Sequence, residues 1–136
     1  MRVLAVDYGE RRTGIAVSDE LGITAQGLDT IEVRDESELP ERVALVARGK
    51  GVTRIVVGLP LNMDGSESEK SRKVRLFGAL LAEKTSLPVE FLDERMTSLQ
   101  AERVMREMNI RRYRNKTAVD RISATLILQD YLKTLS

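Results

Sequence analysis

Two segments of this chain, Val3-Leu4-Ala5-Val6 and Ile55-Val56-Val57, are apolar throughout and too short to be helices. They lack the alternation of a strand with one wet face, so they read as strands buried on both sides. Such strands need helices covering both faces of their sheet, which restricts the chain to a layered α/β arrangement. The rest of the sequence supplies those helices. Leu39, Val43, Val46 and Ala47 are spaced for a helix over 35–49, with Gly49 and Gly51 as stop signals. Ser66 and Glu69 fit a capping box opening a helix to about 85, with Val74, Phe77, Leu80 and Leu81 as its apolar stripe. Thr97 and Gln100 open another, carrying Leu99, Val104, Met105 and Met108. A last helix over about 118–134 carries Val119, Ile122, Leu126, Ile127 and Tyr131.

Further strands are expected at Gly14–Asp19, around Gln26–Val33 and at Val89–Leu92. Arg2–Asp7 and Gly14–Asp19, joined by a Gly-containing turn, form a hairpin. The order is therefore βββ-α-β-α-β-α-α: an otherwise parallel sheet with antiparallel strands added by the hairpin. With 136 residues, a single domain over 1–136 is expected.

The chain has no cysteine and no histidine. Disulfides, thiolate metal sites, Ser-His-Asp and Cys-His nucleophiles and HExxH zinc sites are excluded. Metal or proton chemistry must use carboxylates, Tyr, Lys or water. The first residues hold only four consecutive apolar side chains before Asp7, short of a signal peptide, and no apolar run approaches a membrane span. A cytoplasmic protein with no membrane association is expected.

Net charge is +1, unevenly placed. Residues 1–69 carry 8 Lys/Arg and 13 Asp/Glu, a balance of −5; residues 70–136 carry 14 and 8, a balance of +6. Arg111, Arg112, Arg114 and Lys116 crowd around Tyr113. A basic loop beside an aromatic is one footprint of nucleic-acid contact, and also describes a solvated loop.

Three carboxylates stand in unusual places. Asp7 follows four apolar residues at the end of the first strand, where an unpaired charge is costly. In open α/β sheets ligands gather at the carboxyl ends of strands. The plainer reading of Asp7 is a turn residue stabilising Tyr8-Gly9. Asp93 and Glu94 end the last strand in the same way, their plainer reading being an ion pair with Arg95. Alternation puts the two on opposite faces, so one of them can join Asp7. Asp120 shares a helix face with Ala124 and Ile127, although Thr117-x-x-Asp120 also fits a capping box. If the three converge, the all-oxygen site suits Mg²⁺ or Mn²⁺. Two such ions about 4 Å apart can clamp both the attacking and leaving oxygens of a phosphodiester.

Four blocks then fall in order: Asp7-Tyr-Gly9-Glu-Arg-Arg12-Thr-Gly14-Ile-Ala16; Val57-Gly58-Leu59-Pro60-Leu-Asn62 with Gly65 and Ser66; Asp93-Glu94-Arg95-Met-Thr97-Ser98; and Asp120 with Ala124 and Ile127-Leu128-Gln-Asp-Tyr131-Leu132. Over residues 2 to about 132 the chain resembles the YqgF/RuvX family, described as Holliday-junction resolvases and as nucleases for the 5′ end of the small-subunit ribosomal RNA precursor. The resemblance implies a ribonuclease H-like fold with a five-stranded mixed sheet in the order 3-2-1-4-5. It implies a metal-dependent nuclease whose catalytic and metal-binding acids are Asp7, Glu94 and Asp120, with Asp93 as a neighbour. Arg12 and Arg95 match basic positions that could hold phosphate or brace the acids. Arg111, Arg112, Arg114 and Lys116 would meet nucleic acid. Gly58, Asn62 and Gly65 would shape a loop beside the site. Ser123 stands where a second alanine next to Ala124 is expected, and Tyr113 is unusual within the basic loop.

The leading expectation is a Mg²⁺- or Mn²⁺-dependent phosphodiester hydrolase acting on structured RNA, with branched DNA as the nearest variant. A non-catalytic RNA-binding assembly factor is a second class. An actin-like or sugar-kinase-like ATP binder is a third, because Asp7–Gly14 also reads Asp-x-Gly-x-x-x-x-Gly. Such proteins hold nucleotide between two domains, and 136 residues suffice for one. A monomer or weak homodimer is expected, the stripe on the 97–109 helix serving as core or as a dimer face.

Overall fold

A computed structural model describes residues 1–95 and 116–135. The strands are β1 (Val3–Asp7), β2 (Arg12–Ser18), β3 (Ala25–Gly27), β4 (Ile31–Glu32), β5 (Arg54–Leu59) and β6 (Val89–Asp93). The helices are α1 (Leu39–Lys50), α2 (Glu69–Thr85) and α3 (Lys116–Thr134), with a 3₁₀ turn at Glu36–Glu38. The expected helix from Thr97 lies outside the described residues.

The sheet order is β3-β2-β1-β5-β6, with β4 also paired to β2. β1, β5 and β6 run parallel, and β2 runs antiparallel to β1. This is the expected order once the third strand is seen as two pieces. Among the described residues the sheet has six strands where five are expected, because a one-residue bulge divides the third. Ala16 pairs with Gly27 and Thr13 with Ile31, so two residues of β2 face three across the gap.

Side-chain alternation divides the core. Leu4 and Val6 of β1, with Ile55 and Val57 of β5, pack beneath α1 and α2, against Val43, Ala47, Val74, Phe77 and Leu81. Val3, Ala5, Ala16 and Val56 point the other way, against Ala124, Ile127, Leu128 and Tyr131 of α3. The sheet residues on the α3 face are small, so this helix lies close. Its far end is fastened by Tyr131, whose hydroxyl accepts from Arg54 at 2.9 Å and donates to the Glu90 carboxylate.

Helix boundaries follow local chemistry. Asp35 caps the 3₁₀ turn by accepting from the Ser37 amide, and α1 ends on Gly51 in the left-handed conformation. The capping box of α2 is Ser68 with Ser71, not Ser66 with Glu69. Ser66 is used instead to close a turn: the Asn62 amide donates to its carbonyl at 2.9 Å, and its own amide donates to Asp64 at 2.9 Å. No described helix is long and apolar enough to cross a membrane.

Gly49 lies within α1 with nothing near the position a methyl group would take. Gly49→Ala is expected to raise stability by about 0.5–1 kcal/mol, because alanine loses less backbone entropy in a helix. Urea unfolding checks this, and an unchanged or lower midpoint contradicts it.

Candidate active site

The alternation that divides the core also selects the site. Val3, Ala5 and Asp7 share one face of β1, so Asp7 points toward α3. Gly14 pairs directly with Asp7 across the hairpin. On β6, Leu92 belongs to the α3 face, whereas Val89 and Phe91 pack on the other. Glu94 therefore continues the α3 face and Asp93 the opposite one. The Glu94 amide extends the ladder, donating to the Leu59 carbonyl at 3.2 Å.

Two glycines make room for the acids. A methyl group at Gly58 would come within 2.3 Å of Glu94 Oε2 and 2.6 Å of Ile127 Cδ1, so the Glu94 carboxylate lies directly over the β5 backbone. A methyl group at Gly14 would lie 2.1 Å from the Asp120 carbonyl oxygen. The absent side chain lets α3 descend onto the hairpin and brings Asp120 beside the end of β1. Arg12 then reaches Asp120, with Nε 3.4 Å from Oδ2.

A cleft of about 440 Å³ opens here, lined by Asp7, Arg11, Arg12, Lys70 and Asp120 among others. Its electrostatics are unusual at Asp7, whose pKa is pushed up from 3.8 to about 7. Burial is the largest cause, followed by the negative charge of Glu94; Lys70 opposes the rise and Asp120 adds to it. Glu94 is also raised, mainly by burial, with Lys70 opposing and Asp93 contributing. At both carboxylates burial outweighs Lys70, and a divalent cation would supply the further positive charge. The donors are oxygens only, the set favoured by Mg²⁺ and Mn²⁺. Among the described residues no three acids already stand as one ligand cluster. Asp7 and Glu94 form the close electrostatic pair, and Asp120 is held by Arg12.

The remaining expected site residues divide clearly. Asp93 pairs with Arg95, whose Nε donates to it at 2.8 Å, and this lowers the Asp93 pKa. Arg95 Nη1 also donates to the Met63 carbonyl at 2.9 Å, so the pair staples the end of β6 to the 62–66 turn. Gly65 in that turn has a positive φ, and its amide donates to the Asn62 carbonyl at 2.8 Å. Lys116 opens α3, while Arg111, Arg112 and Arg114 lie outside the described residues. Glu10, Arg11 and Lys70 also line the cleft and are absent from the expected site residues, and of these Lys70 arrives from a separate element. The signal was faint: only a helix starting after Ser68 puts Lys70 in its first turn, and Ser66 offered a competing start.

The family model described as "RuvX: Holliday junction resolvase" matches residues 1–134. A protein of Pelotomaculum thermopropionicum named "Putative pre-16S rRNA nuclease" is 44% identical over 133 residues, covering 97% of this chain and 86% of its own. One of Agathobacter rectalis with the same name is 45% identical over 140 residues, covering 100% and 97%. Among solved structures, Thermus thermophilus RuvC in complex with a Holliday junction substrate matches with a TM-score of 0.60 at 17% identity, over 98% of this chain and 96% of that one. The fowlpox virus Holliday junction resolvase matches with a TM-score of 0.62 at 12% identity over 100% of both. At these identities the structural likeness is one of fold, and the expected ribonuclease H-like α/β architecture stands.

Proposed function

The chain belongs to the RuvX family, and from that premise and the acid-lined cleft we propose that it hydrolyses phosphodiester bonds of structured nucleic acid with divalent metal held by Asp7, Glu94 and Asp120. The observation that carries this reading is the Asp7–Glu94 pair: two carboxylates on one face at the ends of β1 and β6, on either side of β5, in surroundings that penalise their charge without a cation. Bound there, Mg²⁺ or Mn²⁺ would supply a Lewis acid for the attacking water and the developing phosphate charge.

The chain's own residues do the rest. Asp7 and Glu94 present their oxygens from a rigid sheet, the condition for accurate placement. Arg12 orients the Asp120 carboxylate at the cleft edge. The basic residues 111, 112, 114 and 116 position the backbone without reading sequence. Residues 1–136 act as one domain, as a monomer or weak homodimer, in the cytoplasm. The names of the relatives favour precursor 16S ribosomal RNA as substrate, and its 5′ end is the position that the family resemblance implies. The family description favours a second reading, four-way DNA junctions.

Cleavage of a model precursor RNA, a four-way DNA junction and single-stranded controls, each with Mg²⁺, Mn²⁺ or EDTA, tests the proposal. Metal-dependent cutting of the precursor RNA in preference to the others is expected. Preferred cutting of the junction supports the second reading. Binding of RNA without cutting of any substrate points instead to a non-catalytic assembly factor.

Proton competition provides a further check. A proton and a metal compete for Asp7, so apparent Mn²⁺ affinity should fall as pH drops below about 7. Calorimetric titrations at several pH values should show this loss and a plateau above it. Affinity independent of pH between 5 and 8, about the range spanned by the shifted group, contradicts the role of Asp7.

A further inference from the structure

The turn over 62–66 is held by bonds from almost every polar group it has. The Asn62 amide donates to the Ser66 carbonyl at 2.9 Å, and the Gly65 amide to the Asn62 carbonyl at 2.8 Å. The Asn62 side chain donates to Ser66 Oγ at 3.0 Å and to the Glu67 carbonyl at 3.1 Å. The Ser66 hydroxyl donates to Asp64 at 2.6 Å. Arg95 ties the turn to the end of β6, because its Nη1 reaches the Met63 carbonyl while its Nε holds Asp93. Asn62, Asp64 and Ser66 are thus spent on the turn itself. The remaining large side chain is Met63, which is 82% exposed.

A single exposed apolar side chain is ordinary on a protein surface. Met63 differs from the others in where it is held. Leu76 and Leu80 lie along the body of α2, and Leu21 and Ile23 follow β2 at the opposite end of the sheet. The 62–66 turn follows β5 at the same end as Asp7 and Glu94, and the arginine that anchors it is the next residue after Glu94. Folding gains nothing from holding this side chain out, but a nucleic acid at the cleft offers it a use. A base within a duplex is covered by its neighbours, whereas an unpaired base at a helix end, bulge or overhang can present a bare face. The methionine thioether is polarisable and packs well on aromatic rings. Methionine is also among the side chains that proteins insert at base steps. We propose that Met63 packs against the exposed face of an unpaired nucleobase beside a duplex, so that the cleft engages nucleic acid where regular stacking is broken. Met63 is then a specificity-determining residue, and the Arg95 tie fixes the turn that presents it. The inference rests on the hydrolase reading above.

The test is binding of two fluorescently labelled RNAs with equal numbers of phosphates, followed by anisotropy against salt concentration in Ca²⁺. One is a hairpin with a 5′ single-stranded overhang, the other a blunt-ended hairpin. Wild type is compared with Met63→Ala, Met63→Leu and Leu76→Ala, the last an exposed apolar residue on α2. Met63→Ala should bind the overhang hairpin about 2–10-fold more weakly, the range of a sulfur–ring contact. Its affinity for the blunt hairpin should be unchanged. The slope of log affinity against log salt should also be unchanged, because an apolar contact releases no counterions. Met63→Leu should keep most of the preference, and Leu76→Ala should match wild type. Thermal unfolding of Met63→Ala should coincide with wild type. Equal affinity of Met63→Ala and wild type for the overhang hairpin overturns the proposal, as does equal weakening on both RNAs. A lower melting temperature in Met63→Ala overturns it too, because the side chain would then pack for folding. Wild type that binds neither RNA contradicts the hydrolase reading itself.

Discussion

Asp7→Asn should abolish cleavage and, without metal, make the protein more stable. The first effect follows from removing a charged ligand from the centre of the proposed site. Loss of one positioned electrostatic group commonly costs about 10²–10³ in rate, and a central metal ligand should cost at least that. The second follows from the Asp7 pKa of about 7 in the folded chain against 3.8 for the ordinary carboxyl. The folded state holds the Asp7 proton more tightly than the unfolded chain does. Below about pH 4 the carboxyl is protonated in both states, and its favourable contribution is fully present. As pH rises toward 7 the unfolded chain gives up its proton first and folding stability falls. Above about 7 the full penalty of a buried charge applies.

At ~1.4 kcal/mol per tenfold change in proton affinity, the ceiling on that penalty is ~4 kcal/mol. Asp7 keeps some solvent access at the strand end, so about half, ~2 kcal/mol, is the expected gain for the neutral asparagine. Thermal unfolding in EDTA at pH 8 should place Asp7→Asn above wild type by about 6 °C. The gap should close toward pH 4. Added Mn²⁺ should stabilise wild type and leave the variant unmoved. A variant less stable than wild type at pH 8 in EDTA would mean that Asp7 is paired for structure and not held in readiness for a cation.

The second large effect is expected at Gly14. An alanine methyl there would sit 2.1 Å from the carbonyl oxygen of Asp120 and 2.7 Å from its carbonyl carbon. Both are backbone atoms, so no rotamer change relieves the clash and α3 must lift. Overpacking of this kind costs about 1–3 kcal/mol. Displacing a catalytic group by about 1 Å can cost on the order of 10² in rate. Gly14→Ala should therefore lose both stability and activity, whereas Gly49→Ala gains stability and keeps activity. Wild-type turnover in Gly14→Ala would show that the position of Asp120 does not matter to the reaction.

The parts of this architecture that depend on local pattern were readable in the sequence. Val3–Val6 and Ile55–Val57 announced doubly covered strands, and both faces of β1 are indeed packed by helices. Strict alternation at the end of β6 separated Asp93 from Glu94. The structure puts Glu94 on the face of Asp7 and leaves Asp93 to Arg95. The shared face of Asp120, Ala124 and Ile127 is likewise the buried face of α3, where Ala124 and Ile127 are fully enclosed.

What escaped depends on distant partners or on competition between equivalent local signals. The bulge between β3 and β4 is a register difference against β2, and no property of residues 28–30 alone displays it. Ser66 and Ser68 are both credible caps; Asn62 and Asp64 decide between them by engaging Ser66. Arg12 and Asp120 are 108 residues apart, so their ion pair required the fold. Gly14 and Gly58 looked like turn or backbone glycines. Their role is spatial: each leaves room for an acid-bearing segment arriving from elsewhere in the chain.

The proposed role of Asp7 is to hold the divalent ion on which hydrolysis depends. Its most direct measurement is cleavage of a model precursor RNA by wild type and Asp7→Asn, in parallel with Mn²⁺ and with EDTA. Cutting by wild type in Mn²⁺ alone, absent from the variant under both conditions, is the predicted result. Equal cutting by the two proteins, or cutting that persists in EDTA, would contradict it.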